Sequence, residues 1–233
     1  MSKPVCAIVG VGRGNGAAFA RKFNANGYQI ALMARNETYL NELAAELGDA
    51  NAYRCDVTDV DQIIAAFTAI KAEMGPVDVL IYNAGSGVFV TVDETTVEDF
   101  ERTWRINTLG LLVAAQQVLP DMRAAGAGNI IVTGATASLR GNIQTAPFAP
   151  AKAAQRSLAQ SIAKHAGPDG IHVSYVILDG GVDLPGTRER MPDLPDDGLL
   201  KPDEIADAYY FLAHQGKSAW TFELDLRPYV EKW

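Results

Sequence analysis

Short apolar runs rich in valine and isoleucine alternate along the chain with longer segments whose apolar residues recur at helical spacing. This is the pattern of repeated strand–helix–strand units around a parallel sheet. The short runs predict strands at Val5–Val9, Gln29–Ala34, Ala50–Cys55, Val77–Tyr82, Asn129–Thr133, His172–Leu178 and Glu223–Leu226. Helices are predicted at Gly14–Asn26, Glu37–Leu47, Val60–Glu73, Val97–Arg123, Ala149–His165 and Pro202–His214. The expected fold class is α/β: one doubly wound domain over residues 1–233, a seven-stranded parallel sheet with helices on both faces.

The helix punctuation fits this layout. Asp59 is placed to cap the third helix, and Pro202 with Asp203 and Glu204 suits a first turn, where negative charge meets the helix dipole. Gly27, Gly48 and Gly75 stand where helices should stop. One stretch, 179–200, resists assignment: it is rich in proline, glycine and aspartate, shows little hydrophobic period, and follows the carboxyl end of a strand. A connection that long in that place is expected to be a substrate lid.

Composition narrows the partners. With 48% hydrophobic and 21% charged residues in 233, there is apolar surface enough to offset chain entropy. The net charge of −8, with lysines and arginines scattered, argues against a nucleic-acid groove or an anionic membrane surface and for a small-molecule substrate. Cys6 and Cys55 sit among apolar neighbours and read as free core thiols. Met1-Ser2-Lys3-Pro4 leads at once into a strand too short for a signal segment, and no later apolar run reaches membrane-spanning length, so a cytoplasmic location is expected. No metal is expected.

Candidate chemistry begins after the first strand, where Gly10-Val11-Gly12-Arg13-Gly14-Asn15-Gly16 opens into the apolar turn Ala17-Ala18-Phe19-Ala20. Glycines between a strand and a helix let the backbone turn sharply, approach a pyrophosphate closely, and present free helix N–H groups to the anion. The context points to a Rossmann-type dinucleotide site, with a plain tight turn as the alternative.

Here the chain resembles the short-chain dehydrogenase/reductase family. The family's Thr-Gly-x-x-x-Gly-x-Gly is matched by Val9-Gly10-Val11-Gly12-Arg13-Gly14-Asn15-Gly16 except at its first position. Cys55-Asp56-Val57-Thr58 looks like its adenine-contacting acidic segment, and Asn83-Ala84-Gly85 is similar to its Asn-Ala-Gly motif after the fourth strand. Asn107 matches its helix asparagine and Lys152 its lysine, so the resemblance spans nearly the whole chain. It implies cofactor contacts from the glycine loop, Asp56, Val57, Asn83, Ala84, Gly85, Lys152, Gly180 and Val182, and a homodimer or homotetramer. Singly, Asp56 also reads as a turn cap, Asn83 as a loop bridge and Asn107 as an interior helix residue.

Sites for NAD(H) place an acid after the second strand, but Met33-Ala34-Arg35-Asn36 has none. Arg35, with Arg13, is suited to clamp a 2′-phosphate through charge-assisted bonds, so NADP(H) is preferred over NAD(H). Alternatively, both arginines are solvated surface charges and Asn36 bonds a plain ribose.

The catalytic pattern departs from the family. Where the family has Tyr-x-x-x-Lys, the chain reads Phe148-Ala149-Pro150-Ala151-Lys152, and thirteen residues before Phe148 the serine position is Ala135. Phenylalanine has no ionisable proton and alanine no donor. General acid catalysis contributes about 10²–10⁴-fold, and an oxyanion donor about 10²–10³-fold, so ordinary ketone reduction at family rates is not expected. Thr136 and Ser138 are nearby hydroxyls that a shifted register would recruit. After the sixth strand the family's Pro-Gly becomes Asp179-Gly180. Asp179 reads either as a proton donor or cation attractor beside the nicotinamide, or as a turn residue. Tyr82 and Tyr175 read as core aromatics, and His165 as a helix-end cation. The candidate catalytic set is therefore Lys152, Asn107 and Asp179, with Ala135, Thr136 and Phe148 lining the substrate pocket.

The expected activity is hydride transfer to or from an imine, iminium or conjugated carbonyl. A non-redox elimination or isomerisation on the same scaffold, or nucleotide binding without turnover, stands as the alternative.

Overall fold

The structure is a computed structural model that describes residues 3–232. Met1, Ser2 and Trp233, the last being the end of an aromatic tail from Trp220 that the sequence offers as a possible partner surface, lie outside the described residues.

Seven parallel strands form one sheet: β1 Val5–Val9, β2 Gln29–Ala34, β3 Ala50–Arg54, β4 Val79–Tyr82, β5 Gly128–Ala135, β6 Ile171–Leu178 and β7 Glu223–Leu226. Their order is β3-β2-β1-β4-β5-β6-β7. Eight α-helices are described: α1 Asn15–Ala25, α2 Glu37–Leu47, α3 Val60–Glu73, α4 Val97–Trp104, α5 Gly110–Ala125, α6 Phe148–Ala166, α7 Pro185–Arg190 and α8 Pro202–Ala213. Alternation along the strands sorts the side chains into two cores. Val5, Ala7 and Val9 pack with Phe67 of α3, Leu111 and Val118 of α5 and Ile162 of α6. Cys6 and Ile8 point the other way, against Phe19 and Phe23 of α1, Leu40 and Leu43 of α2, and Tyr209 and Leu212 of α8. Parallel strands covered on both faces read as continuous apolar runs, which is why the sheet was legible before any helix was placed.

Asp59 caps α3 as its sequence position predicts, accepting from the Asp61 and Gln62 amides. One expectation needs correction. The predicted helix Val97–Arg123 is broken into α4 and α5 by a π-helical turn at Arg105–Leu109. Local competition for carbonyls accounts for it: Asn107 Nδ2 donates to the carbonyls of Thr103 (2.9 Å) and Ser86 (3.2 Å), and the Tyr82 hydroxyl donates to the carbonyl of Ile106 (2.5 Å). The unassigned stretch 179–200 contains α7, and its ends are tied by a bridge between Val182 and Leu200. Arg188 holds the excursion together, with a two-point ion pair to Asp183 (2.8 and 2.9 Å) and a bond to the Pro195 carbonyl (3.1 Å). Among the described residues, no helix is long and apolar enough to cross a membrane.

Candidate active site

Between β1 and β4 the chain departs to opposite sides of the sheet, and the crevice this opens at the strands' carboxyl ends is the usual ligand position in such folds. A cleft of about 430 Å³ lies there. Its floor is the glycine loop. Gly10 takes φ +93°, and a Cβ there would overlap the Ala84 backbone; a Cβ on Gly16 would lie 2.7 Å from Val11 Cα. At Gly12 a Cβ would meet nothing within 4 Å, because that side is open cleft. Helix α1 begins here with Gly14 as N-cap and no side-chain cap, so its amide end faces the cleft where Gly14, Asn15 and Gly16 line it. Asn15 Oδ1 is a buried acceptor with no protein partner.

Asn83 joins the loop to the rest of the sheet. Its Nδ2 donates to the Gly10 carbonyl (2.8 Å), and its Oδ1 accepts from the Thr133 hydroxyl (3.1 Å), which also contacts the Tyr209 hydroxyl (2.8 Å). Arg13, Arg35, Asp56, Val57, Ala84 and Gly85 complete the expected lining. Partial burial pushes the Asp56 carboxyl up, yet bonds from the Thr58 amide (3.0 Å) and hydroxyl (2.8 Å), with the charges of Arg35 and Arg102, leave it below the usual range.

At the rim, the exposed Arg13 guanidinium lies 4.4 Å over the Tyr39 ring and 3.5 Å from Glu42. Arg35 lines both the cleft and an adjoining hollow bounded by Val11, Ala34 and Asn36. The Asn36 side chain, the alternative ribose ligand, is engaged in capping α2 by accepting from the Tyr39 amide at 3.2 Å.

The β5–α6 side is buried and polar. Lys152, only 4% exposed, donates to the Thr133 carbonyl (2.8 Å) and to Gln155 Oε1 (3.0 Å). Burial pulls its amine down from 10.5 to about 7. Gly85 brings this side to the cleft: a Cβ on it would stand 3.7 Å from Lys152 Nζ and 3.5 Å from Asn107 Oδ1, itself a buried acceptor with no protein partner. The Phe148 ring centroid is 6.0 Å from the Lys152 ammonium and 5.3 Å from the ring of Phe89, an exposed residue on the loop after β4.

Ala135 ends β5, and Thr136 follows it. The Thr136 hydroxyl donates to Asp179 Oδ1, and Asp179 Oδ2 pairs with Arg227 beyond β7. Both Asp179 oxygens therefore act as acceptors. At Gly180 φ is +151°, and a Cβ there would lie 2.7 Å from Pro228 Cδ. Val182 lines the cleft, with Leu184, whose Cδ2 would stand 2.6 Å from a Cβ on Gly14. Tyr82 and Tyr175 are core phenols pushed well above their ordinary value by burial.

Sequence reasoning missed Leu184, Ile106, Gln155 and Arg227. Leu184 and Arg227 lie in irregular segments that carry no periodic signal. Gln155 had one: with Lys152, three residues before it, it is polar on the otherwise apolar buried face of α6, Ala149, Ala151, Lys152, Gln155, Ala159, Ile162 and Ala166.

Fold and cleft together define a doubly wound α/β protein with a glycine-floored crevice at its switch point. Residues 4–193 match the description of the short chain dehydrogenases, and the chain belongs to that family. Among curated relatives it is similar to 2-(R)-hydroxypropyl-CoM dehydrogenase of Xanthobacter autotrophicus, at 31% identity over 90% of each chain. Among solved structures it is similar to a short-chain dehydrogenase from Rhodopseudomonas palustris (TM-score 0.84, 35% identity, 97% of this chain and 99% of that one). It is also similar to a metagenomic short-chain oxidoreductase solved in complex with NADP (TM-score 0.85, 27% identity, 99% of each chain). It is an oxidoreductase of the short-chain type.

Proposed function

We propose that the protein is an NADP(H)-dependent oxidoreductase that passes hydride to or from a small organic substrate, such as an iminium or a conjugated carbonyl, with no phenol to donate a proton. The observation that carries this reading is the pairing of an open nucleotide cleft with Phe148, rather than a tyrosine, beside the buried Lys152 amine. A nicotinamide nucleotide supplies the hydride when bound. The glycine loop and the start of α1 hold its diphosphate, Asp56 and Val57 the adenine, and Asn83, Ala84, Gly85 and Val182 the nicotinamide half. Lys152 donates to the nicotinamide ribose. Asn15 Oδ1 and Asn107 Oδ1 are unpartnered acceptors suited to hydroxyls or water at the same cleft.

The NADP(H) preference rests on the rim. Cation–π contact and the Glu42 pair brace Arg13, Arg35 lines both hollows, and Met33-Ala34-Arg35-Asn36 places no acid directly at the end of β2. The NADP complex of the metagenomic relative agrees.

At the chemical end, Phe148 and Ala135 offer no proton, so a neutral ketone gains no acid from either. An iminium needs none: hydride adds to its carbon, the C=N electron pair moves to nitrogen, and the charge is discharged. A conjugated carbonyl takes hydride at its β-carbon and a proton from water. Thr136 spends its hydrogen on Asp179, which leaves it lone pairs for a substrate N–H or O–H rather than a donor for a ketone oxygen. Asp179, paired with Arg227, holds Thr136. The segment 179–200, whose Leu184 sits over Gly14, acts as the lid. Val97, Phe100 and Trp104, exposed on one face of α4, are the surface for a homodimer or homotetramer.

A screen of NADPH oxidation against ketones, imines and enones tests this reading. Consumption with imines or enones and not with simple ketones is expected. Consumption with none leaves a non-redox enzyme or a binding protein, and turnover of ketones at family rates overturns the reading.

A further inference from the structure

We propose that Gln155 is a positioning residue for Lys152, aiming its third N–H at the cleft floor beside Gly85 and so setting the contribution of the amine to dinucleotide binding. The inference rests on the functional reading above, in which Lys152 meets the nicotinamide ribose.

Gln155 is 0% exposed. Its place on the buried face of α6 among alanines and isoleucine would be filled at lower cost by leucine or methionine, because a buried amide is unfavourable unless its polar atoms are matched. Here both ends are used. Oε1 accepts from Lys152 Nζ (3.0 Å) and from the Tyr175 hydroxyl (3.4 Å), while Nε2 donates to the Asn107 carbonyl (2.8 Å). The amide thus spans from the lysine to the π turn, which a second bond, Thr108 Oγ1 to the Ala151 carbonyl (2.9 Å), also fastens to α6. Geometry fixes the amine as well. Of its three N–H groups, one goes to the Thr133 carbonyl and one to Gln155, and the missing Cβ of Gly85 leaves the space on the cleft side, 3.7 Å away.

The acceptor is an amide, not a carboxylate, and the difference matters electrostatically. A carboxylate would pair with the ammonium and cancel the charge that an anionic nucleotide feels; an amide holds the nitrogen in place and leaves that charge intact. The groups facing Lys152 are the Thr133 carbonyl from β5, the Asn107 side chain from the π turn, Gly85 from the loop after β4, Phe148 and Gln155 from α6, and the Tyr175 phenol from β6, which bonds its carbonyl. No carboxylate among the described residues forms an ion pair with it. Burial alone therefore sets the amine near 7, and binding of an anion draws it to the charged form.

The test compares wild type with Gln155→Leu and Gln155→Glu by calorimetric titration of NADPH, NADH and 2′,5′-ADP, which lacks the nicotinamide half, from pH 6 to 8.5. Gln155→Leu should weaken NADPH and NADH about five- to tenfold, the scale of one hydrogen bond to a charged group, and leave 2′,5′-ADP unchanged. Gln155→Glu should keep the amine in place but move the pH at which dinucleotide affinity begins to fall upward from about 7, because the new carboxylate stabilises the ammonium. Equal losses for the dinucleotides and the half-molecule, or no loss with a lowered Tm, would make Gln155 a packing residue and overturn the inference. If Gln155→Leu does not fold, an unmoved pH break in Gln155→Glu overturns it on its own. Failure of wild type to bind either dinucleotide would strike the functional reading instead, so the two failures are distinguishable.

Discussion

The β1–α1–β2 half of the molecule and the β5–α6 half treat the same cleft in opposite ways. The first presents backbone: glycines whose missing side chains make room, and helix amides that need no titratable partner. The second presents side chains: a buried lysine, two amides and a phenylalanine, with the chemistry set by which polar atoms are present. Binding an anion to backbone tolerates most substitutions outside the glycines. Proton transfer does not survive the loss of one hydroxyl. The two halves can therefore diverge separately, and under the proposed function this chain keeps the first while altering the second.

The largest expected effect comes from restoring the altered half. The double variant Ala135→Ser, Phe148→Tyr should raise NADPH-dependent ketone reduction by about 10²–10⁴-fold, measured as initial rate at saturating nucleotide. No gain would mean that these positions do not flank the reacting carbon. Breaking the other half gives the next effect. In Gly12→Val the new Cβ enters open cleft with no heavy atom within 4 Å, so NADPH affinity should fall about 10²-fold, the loss of one or two charge-assisted amide bonds, with Tm little changed.

Lys152→Met sharpens the boundary between the halves. Nucleotide affinity should drop about tenfold at pH 6.5, by one charge-assisted bond, and lose its decline above pH 7. Stability should move the other way. Between about 7 and 10.5 the unfolded chain binds more protons at this lysine than the folded one, so its effect on stability improves as pH rises through that window and is least favourable below it. The difference in Tm, variant minus wild type, should be most favourable to the variant at or below pH 7 and shift toward wild type as pH rises to 10, offset at every pH by the loss of the bonds to the Thr133 carbonyl and Gln155 Oε1, as scanning calorimetry of both proteins across that range would show. The smallest effect is at the rim: Arg35→Glu should weaken NADPH about fivefold or more while sparing NADH, since an exposed guanidinium contributes about one screened, charge-assisted contact.

The two halves also differed in how far they could be read from sequence. The sheet, the helix faces and the glycine loop follow from periodicity and from what glycine permits, so Gly10, Gly12, Gly14 and Gly16 stand where their spacing places them. The π turn at Asn107 was hidden because a side chain competing for carbonyls leaves the apolar period of a helix intact. Asp179 and Thr136 were singled out individually, but their shared bond, and the reach of Arg227 from beyond β7, join segments far apart in the chain. Gln155 was legible as a break in an apolar stripe; its partners were not.

The most direct test supplies NADPH carrying deuterium at the transferable C4 position together with a cyclic iminium and its matched ketone, and locates the label by mass spectrometry. The account predicts deuterium on the former iminium carbon of the amine and none in alcohol from the ketone. Label in the alcohol at a comparable rate, or in neither product, would contradict it.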